Sequence, residues 1–167
     1  MKKLLPLLSI ALLIAVIAIV FVSMAQKDGP VTIAKGNVAF KPLPIKINHT
    51  NDTQCAMLIK SEHNAAEAIA PDGRTWFFDD PGCMILWLKE RNWADKAVLW
   101  VHTIDTKKWI DGRKAWYGIK DATEMRYGFG SREKQCDECI DFEEMRLRML
   151  RGENLTNPKI RKKLLGV

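Results

Sequence analysis

Residues 65–82 read Ala65-Ala66-Glu67-Ala68-Ile69-Ala70-Pro71-Asp72-Gly73-Arg74-Thr75-Trp76-Phe77-Phe78-Asp79-Asp80-Pro81-Gly82. Ala65 to Ala70 and Arg74 to Phe78 are short, mainly apolar runs, and Pro71-Asp72-Gly73 between them supplies turn residues. The three together predict a β-hairpin. Asp80 is then an N-cap residue type and Pro81 suits a first helical position. Met84, Leu86, Trp87 and Leu88 follow as a wide apolar stripe, which predicts a helix from Pro81 to about Arg91. A hairpin feeding directly into a helix sets the class as α+β.

Downstream, Ala97 to Thr103 alternates as a strand. Trp109-Ile110-Asp111-Gly112 leads into a further strand from Lys114 to Ile119. Glu124 to Gly130 carries Met125, Tyr127 and Phe129 at period two, the strand spacing. A closing helix is expected from about Asp137 to Arg151, with Phe142, Met145, Leu147 and Met149 on or near its buried face. Upstream, Pro44 to Asn48 reads as a short strand, Asn48 to Asp52 as a polar turn, and Thr53 to Lys60 as another strand. The expectation is therefore two related strand-rich units, each with one helix, preceded by an N-terminal transmembrane helix.

Lys2 and Lys3 precede an uncharged apolar segment, Leu4 to Val22, long enough to span a bilayer. Ser23-Met24-Ala25 also offers a small-x-small sequence that a signal peptidase could accept. Residues 1–25 are thus a membrane anchor or signal segment, and the rest is expected on the periplasmic or outer face of an inner membrane. Residues 26–44, with Asp28-Gly29-Pro30, Gly36 and Pro42, read as a tether. Residues 45–152 form the folded domain, and 153–167 a basic C-terminal tail.

The formal charge of +6 over 167 residues gathers in Lys2, Lys3 and the tail residues Lys159, Arg161, Lys162 and Lys163. The six tryptophans lie elsewhere, between 76 and 116. Nucleic-acid binding needs basic charge interleaved with aromatics on one face, so that class is excluded. Asp79-Asp80, Asp105 and Asp111 sit beside Pro, Gly or turn residues and read as caps and turn formers. No Ser-His-Asp or carboxylate–metal constellation accompanies them, and an enzyme is not expected.

Cys55-Ala56-Met57 is the stretch that carries chemistry. On a strand, residues i and i+2 face the same side, so a thiolate and a thioether would meet one guest together. Soft sulfur donors suit Cu(I), whereas Mg²⁺ and Ca²⁺ want oxygen. The same spacing also fits a Cys and a Met packed into a core. His49, His63 and His102 are weaker ligand candidates, and Met84, Met145 and Met149 belong to helix faces. Cys136-Asp137-Glu138-Cys139 admits a disulfide, a second metal or transfer site, or free thiols. No His follows Cys139, which excludes covalent haem attachment.

The order of these motifs resembles the NosL family, membrane-attached copper-binding proteins that assist maturation of nitrous oxide reductase. The resemblance runs over roughly 53–150, through Cys55-Ala56-Met57-Leu58-Ile59, Phe78-Asp79-Asp80-Pro81-Gly82 and Trp100-Val101-His102-Thr103-Ile104-Asp105. It continues in Trp109-Ile110-Asp111-Gly112-Arg113-Lys114-Ala115-Trp116-Tyr117 and Met125-Arg126-Tyr127-Gly128-Phe129. It implies a small exported α+β domain that binds Cu(I) through Cys55, Met57 and Met125. It also implies delivery to apo nitrous oxide reductase or its membrane assembly complex. The family's lipoprotein cysteine is absent here, which leaves attachment to the apolar helix, and Cys83 has no role assigned by the resemblance. A second expectation from the residues is a membrane-tethered thiol–disulfide oxidoreductase using Cys136 and Cys139.

Overall fold

The computed structural model describes the backbone of residues 4–25 and 31–166. In chain order the elements are α1 (Leu4–Ala25), β1 (Ile33–Ala34), β2 (Ala66–Ile69), β3 (Thr75–Phe78), α2 (Pro81–Leu88), β4 (Val98–His102), β5 (Trp109–Asp111), β6 (Trp116–Tyr117), β7 (Ser131–Arg132), α3 (Phe142–Arg151) and α4 (Pro158–Leu165). The class is α+β. A five-stranded antiparallel sheet runs in the order β1-β3-β2-β4-β5, and β6 and β7 make a separate two-stranded sheet.

The predicted hairpin is the centre of that sheet. Ala66 pairs with Phe78 and Ile69 with Thr75, and on its other side β2 pairs with β4. Both faces are covered, so every residue of β2 and β3 is buried. One face carries Ala66, Ala68, Trp76, Phe78, Leu99 and Val101, packed with Met84, Ile85 and Leu88 of α2 and Phe142, Met145 and Met149 of α3. The other carries Ala65 and Phe77 under Ile45 and Ile59. Each large apolar side chain sealed in this way contributes about 1.5–3 kcal/mol, which makes the two-sided sheet the stable frame of the molecule.

Glu67 lies on the second face, wholly buried, with both carboxylate oxygens accepting the Leu43 N–H at 3.2 and 3.1 Å. Burial pushes its carboxyl up to about 8. The segment ahead of β2 is therefore strapped across the sheet.

Several expectations are corrected. β4 and β5 join the same sheet as β1 to β3, so the strands pool into one frame and do not make two separate units. Residues 33–34, within the stretch read as a tether, form an edge strand, because Ile33 pairs with Trp76 and Ala34 with Thr75. The strand expected over Thr53 to Lys60 is instead a turn at 53–55 followed by irregular chain, with only an isolated Asn51–Leu58 bridge of β type. The strand expected over Glu124 to Gly130 is irregular, since Arg126 and Gly128 have φ of 57° and 91°. A Cβ at Gly128 would meet Leu155 at 2.7 Å, so the close approach of the following segment requires glycine there.

The closing helix starts at Phe142 and not at Asp137, because Ile140 exchanges two 2.9 Å backbone hydrogen bonds with Tyr117 and Asp141 caps the helix. The basic tail contains α4, capped by Asn157. The backbone of α1 is helical over 22 residues, with side chains described only at Ile10 and over 12–21. Among the described residues, no helix is long and apolar enough to cross a membrane. The anchor expectation over 1–25 thus falls partly on side chains outside the described residues.

Candidate metal centre

Asp52 organises the loop that carries Cys55. Its Oδ1 accepts the N–H groups of Gln54 at 2.6 Å and Cys55 at 2.9 Å, and its Oδ2 accepts the N–H of Asp79 at 2.9 Å. The loop closes on itself where Asp52 N–H donates to the Met57 carbonyl at 2.8 Å and Ala56 N–H to the Asp52 carbonyl at 2.9 Å. It docks on the end of β3 through Thr53 N–H and the Phe77 carbonyl, 2.9 Å apart. An aspartate side chain bonding backbone two and three residues on is a common turn former, and here it wins over strand propensity.

The opposite wall is the start of α2. Asp80 has extended backbone dihedrals and accepts the Gly82 N–H at 2.7 Å, and Pro81 takes the first helical position, as predicted. Cys83 follows in the first turn, fully buried. Asp79 ends β3 between loop and helix, with Oδ1 buried and without a hydrogen-bond partner among the described residues. One ligand atom from each of Asp52, Cys55, Asp79 and Cys83 lies within 4.8 Å of the others. Two thiols and two carboxyls thus converge beneath the sheet's end.

Burial is the first cause of the upward shift at Cys55, Asp79, Asp80 and Cys83. Burial, and then the charges of Asp52 and Asp79, push the Cys55 thiol up to about 11, against a hydrogen bond from the Met57 N–H. Burial, then the Asp52 carboxyl beside it, pushes Asp79 up to about 8. Burial pushes Asp80 up to about 6, with hydrogen bonds from Thr123, Gly82 and Met125 opposing it. Cys83 and the nearby Tyr127 phenol are also raised, in each case chiefly by burial. Cys55, Cys83 and Asp79 keep their protons to higher pH chiefly because burial disfavours their anions, with neighbouring carboxylates adding to it, and a bound cation would replace those protons.

The donor set fits a metal ion. Both Asp52 oxygens are committed to backbone N–H groups, so this residue positions the others. Cys55 Sγ, Cys83 Sγ and a carboxylate oxygen of Asp79, whose Oδ1 has no hydrogen-bond partner, are the atoms left to ligate.

Of the three predicted ligands, Cys55 is in the cluster, half-buried against the helix-side core. Met57 is 45% exposed, because Ala56 has φ of 62° and the strand geometry that would align Met57 with Cys55 is absent. Met125 is half-buried against the same core as Cys55, and its N–H donates to Asp80 Oδ2 at 3.4 Å. No histidine belongs to the cluster among the described residues. His102 instead faces Glu62, 3.8 Å from its carboxylate. Cys136 and Cys139 form a disulfide in an exposed turn ahead of α3.

Sequence reading missed Asp52, Asp79 and Cys83 as site residues. The signal was present in Asp52-x-x-Cys55 and Asp79-x-x-x-Cys83, two acid-then-thiol spacings at a turn and at a helix start. Neither a protein-family model nor a curated protein matches this chain.

Proposed function

We propose that this protein is a Cu(I)-binding metallochaperone, carrying copper as cargo on Cys55 and Cys83. The observation that carries the reading is the convergence of Asp52, Cys55, Asp79 and Cys83 within 4.8 Å. Two thiolates form a soft, anionic pair that suits a monovalent soft ion. Met125, packed against the same core as Cys55, is the candidate third sulfur, and the exposed Met57 is the donor that first meets an incoming ion. Cys55 lies on a surface loop and Cys83 in the core, so the site has one accessible edge. Ligand exchange with a recipient starts at that edge, one bond at a time.

The resemblance to the NosL family supports apo nitrous oxide reductase, or its membrane assembly complex, as the recipient. In the same reading α1 is the membrane anchor and the domain faces the periplasm. No catalytic step is assigned to the protein.

One observation favours a different ion: Asp79 Oδ1 is an unpartnered oxygen among sulfurs, and Zn²⁺ accepts mixed Cys and Asp ligands. The test is anaerobic titration of the full chain in neutral detergent with Cu(I) or Zn²⁺ against chelators of known affinity, followed by X-ray absorption of the loaded protein. Cu(I) held with two or three sulfur neighbours, and lost in Cys55→Ser and Cys83→Ser, supports the proposal. Retention of Cu(I) in both variants, or selection of Zn²⁺ over Cu(I), refutes it. The oxidoreductase alternative predicts instead that Cys136 and Cys139 cycle and reduce a model disulfide.

A further inference from the structure

Where β3 meets α2 and the segment after it, three tryptophans make a wall. Trp76 of β3 lies 4.8 Å from Trp87 of α2 and stacks on Trp93 at 5.3 Å, while Trp87 meets Trp93 nearly edge-on at 5.7 Å. Two guanidinium groups rest on this wall. Arg74 lies over Trp76 with its Cζ 5.2 Å from the ring centroid, and Arg91 over Trp87 at 4.4 Å. These five residues line one open cavity.

The two arginines are not equivalent. Arg74 gives its Nε to Asp72 at 2.7 Å, in a bridge half exposed to water. Arg91 makes no ion pair among the described residues, and its Nε is buried without a hydrogen-bond partner. A buried, unpaired donor on a charged group is costly, and the cost is recovered when an anion takes it. Cation–π stacking fixes the plane of each guanidinium, which lowers the entropy lost when both grip one ligand. The forked donors match the oxygens of a phosphate, and the indole wall shields that contact from water.

We infer that Arg74 and Arg91, held over Trp76 and Trp87, form a pocket for a phosphate oxyanion, with an anionic phospholipid headgroup as its principal source. Chain path favours the lipid. Ile33 pairs with Trp76 itself, and α1 ends at Ala25. The seven residues between, eight Cα-to-Cα steps, reach at most about 28 Å, so Ile33 and the Trp76 it pairs with stay within roughly that distance of the end of α1. Tryptophan with arginine is also the pairing expected where an apolar body meets charged headgroups. The lipid source rests on the membrane reading of α1; the pocket does not.

The test uses the full chain in two settings. In neutral detergent, inorganic phosphate is titrated at constant ionic strength against chloride while tryptophan emission is recorded. In nanodiscs of phosphatidylcholine, or of phosphatidylcholine with phosphatidylglycerol, amide exchange is compared over residues 74–93. A saturable emission change that weakens roughly tenfold or more in Arg91→Gln, with slower exchange in the anionic discs, is the expected result. The emission change without disc protection keeps the pocket and assigns it to free phosphate. A chain that fails to incorporate into discs refutes the membrane reading of α1 and leaves the phosphate arm to decide. Arg74→Gln, at an exposed position, is the second variant should Arg91→Gln not fold. Absence of both responses, or responses equal to wild type in these variants, overturns the inference.

Discussion

The carboxylate of Asp52 accepts the backbone N–H of Asp79 at 2.9 Å, across 27 residues of chain. Through its other oxygen the same side chain holds Cys55 N–H, so a single residue sets the distance between the surface thiol and the buried one. Asp52 needs no metal contact of its own to control the site.

Replacing Asp52 by Asn keeps the size but leaves one acceptor oxygen where there were two, so at least one of the three N–H contacts is lost and the rest are made to an uncharged acceptor. Metal affinity is expected to drop about 10–100-fold, the usual cost of disturbing residues that orient ligands. Cys55→Ser and Cys83→Ser should each cost more than that. Chelator competition measures all three, and a Cys83→Ser protein that binds metal like wild type would remove α2 from the site.

The metal-free protein should lose stability as pH rises. Asp79 moves from 3.8 to about 8 on folding and Glu67 from 4.5 to about 8. Raised carboxyl pKa values mean the folded chain keeps protons that the unfolded chain releases. The resulting stabilisation is complete below about pH 4 and is lost as pH climbs towards about 8. Urea unfolding at pH 5, 7 and 9 reads this slope, and Asp79→Asn should flatten it. Metal affinity runs the opposite way, rising about tenfold per pH unit for each proton displaced. A metal-free protein that gains stability between pH 5 and 9 would contradict this account.

Local rules in the sequence predicted the frame well. Pro71-Asp72-Gly73 fixed the hairpin, and Asp80-Pro81 fixed the start of α2, because each depends only on neighbours along the chain. The helix ended at Leu88 and not near Arg91, where Arg91 turns onto Trp87. The site was only half legible. Cys55 stood out, but its partner was sought two residues away at strand spacing. Asp52 bends that segment into a turn, and the true neighbour, Cys83, arrives through tertiary packing that no periodicity encodes. Cys83 has no role assigned by the sequence pattern or by the resemblance.

Gly82→Ala is expected to destabilise the fold by about 1–3 kcal/mol, the range for overfilling a packed interior. An added Cβ lands on Tyr127 Cδ2 and comes within 3.1 Å of the Met149 sulfur. Because Tyr127 and α3 must then give way beside Cys83, metal affinity should fall along with stability. Denaturation midpoints and chelator competition on the same variant test both; unchanged values would mean the neighbours yield freely.

The double change Cys136→Ser, Cys139→Ser should cost no more than about 2 kcal/mol, since the disulfide closes a very short loop. It should leave metal binding untouched, because the bridge lies in an exposed turn ahead of α3, apart from the cluster. Thermal unfolding and chelator competition provide the readings. Lost metal binding would tie the pair to the site and revive a transfer role.

The thiols and carboxyls that converge come from both flanks of the β2–β3 hairpin: Asp52 and Cys55 before it, Asp79 and Cys83 after it. A chain that has not yet folded cannot present them to one ion. Under the proposed function, loading therefore waits until the hairpin has zipped, and a captured ion becomes a seal on a finished fold, which would make structural completion the licence for delivery.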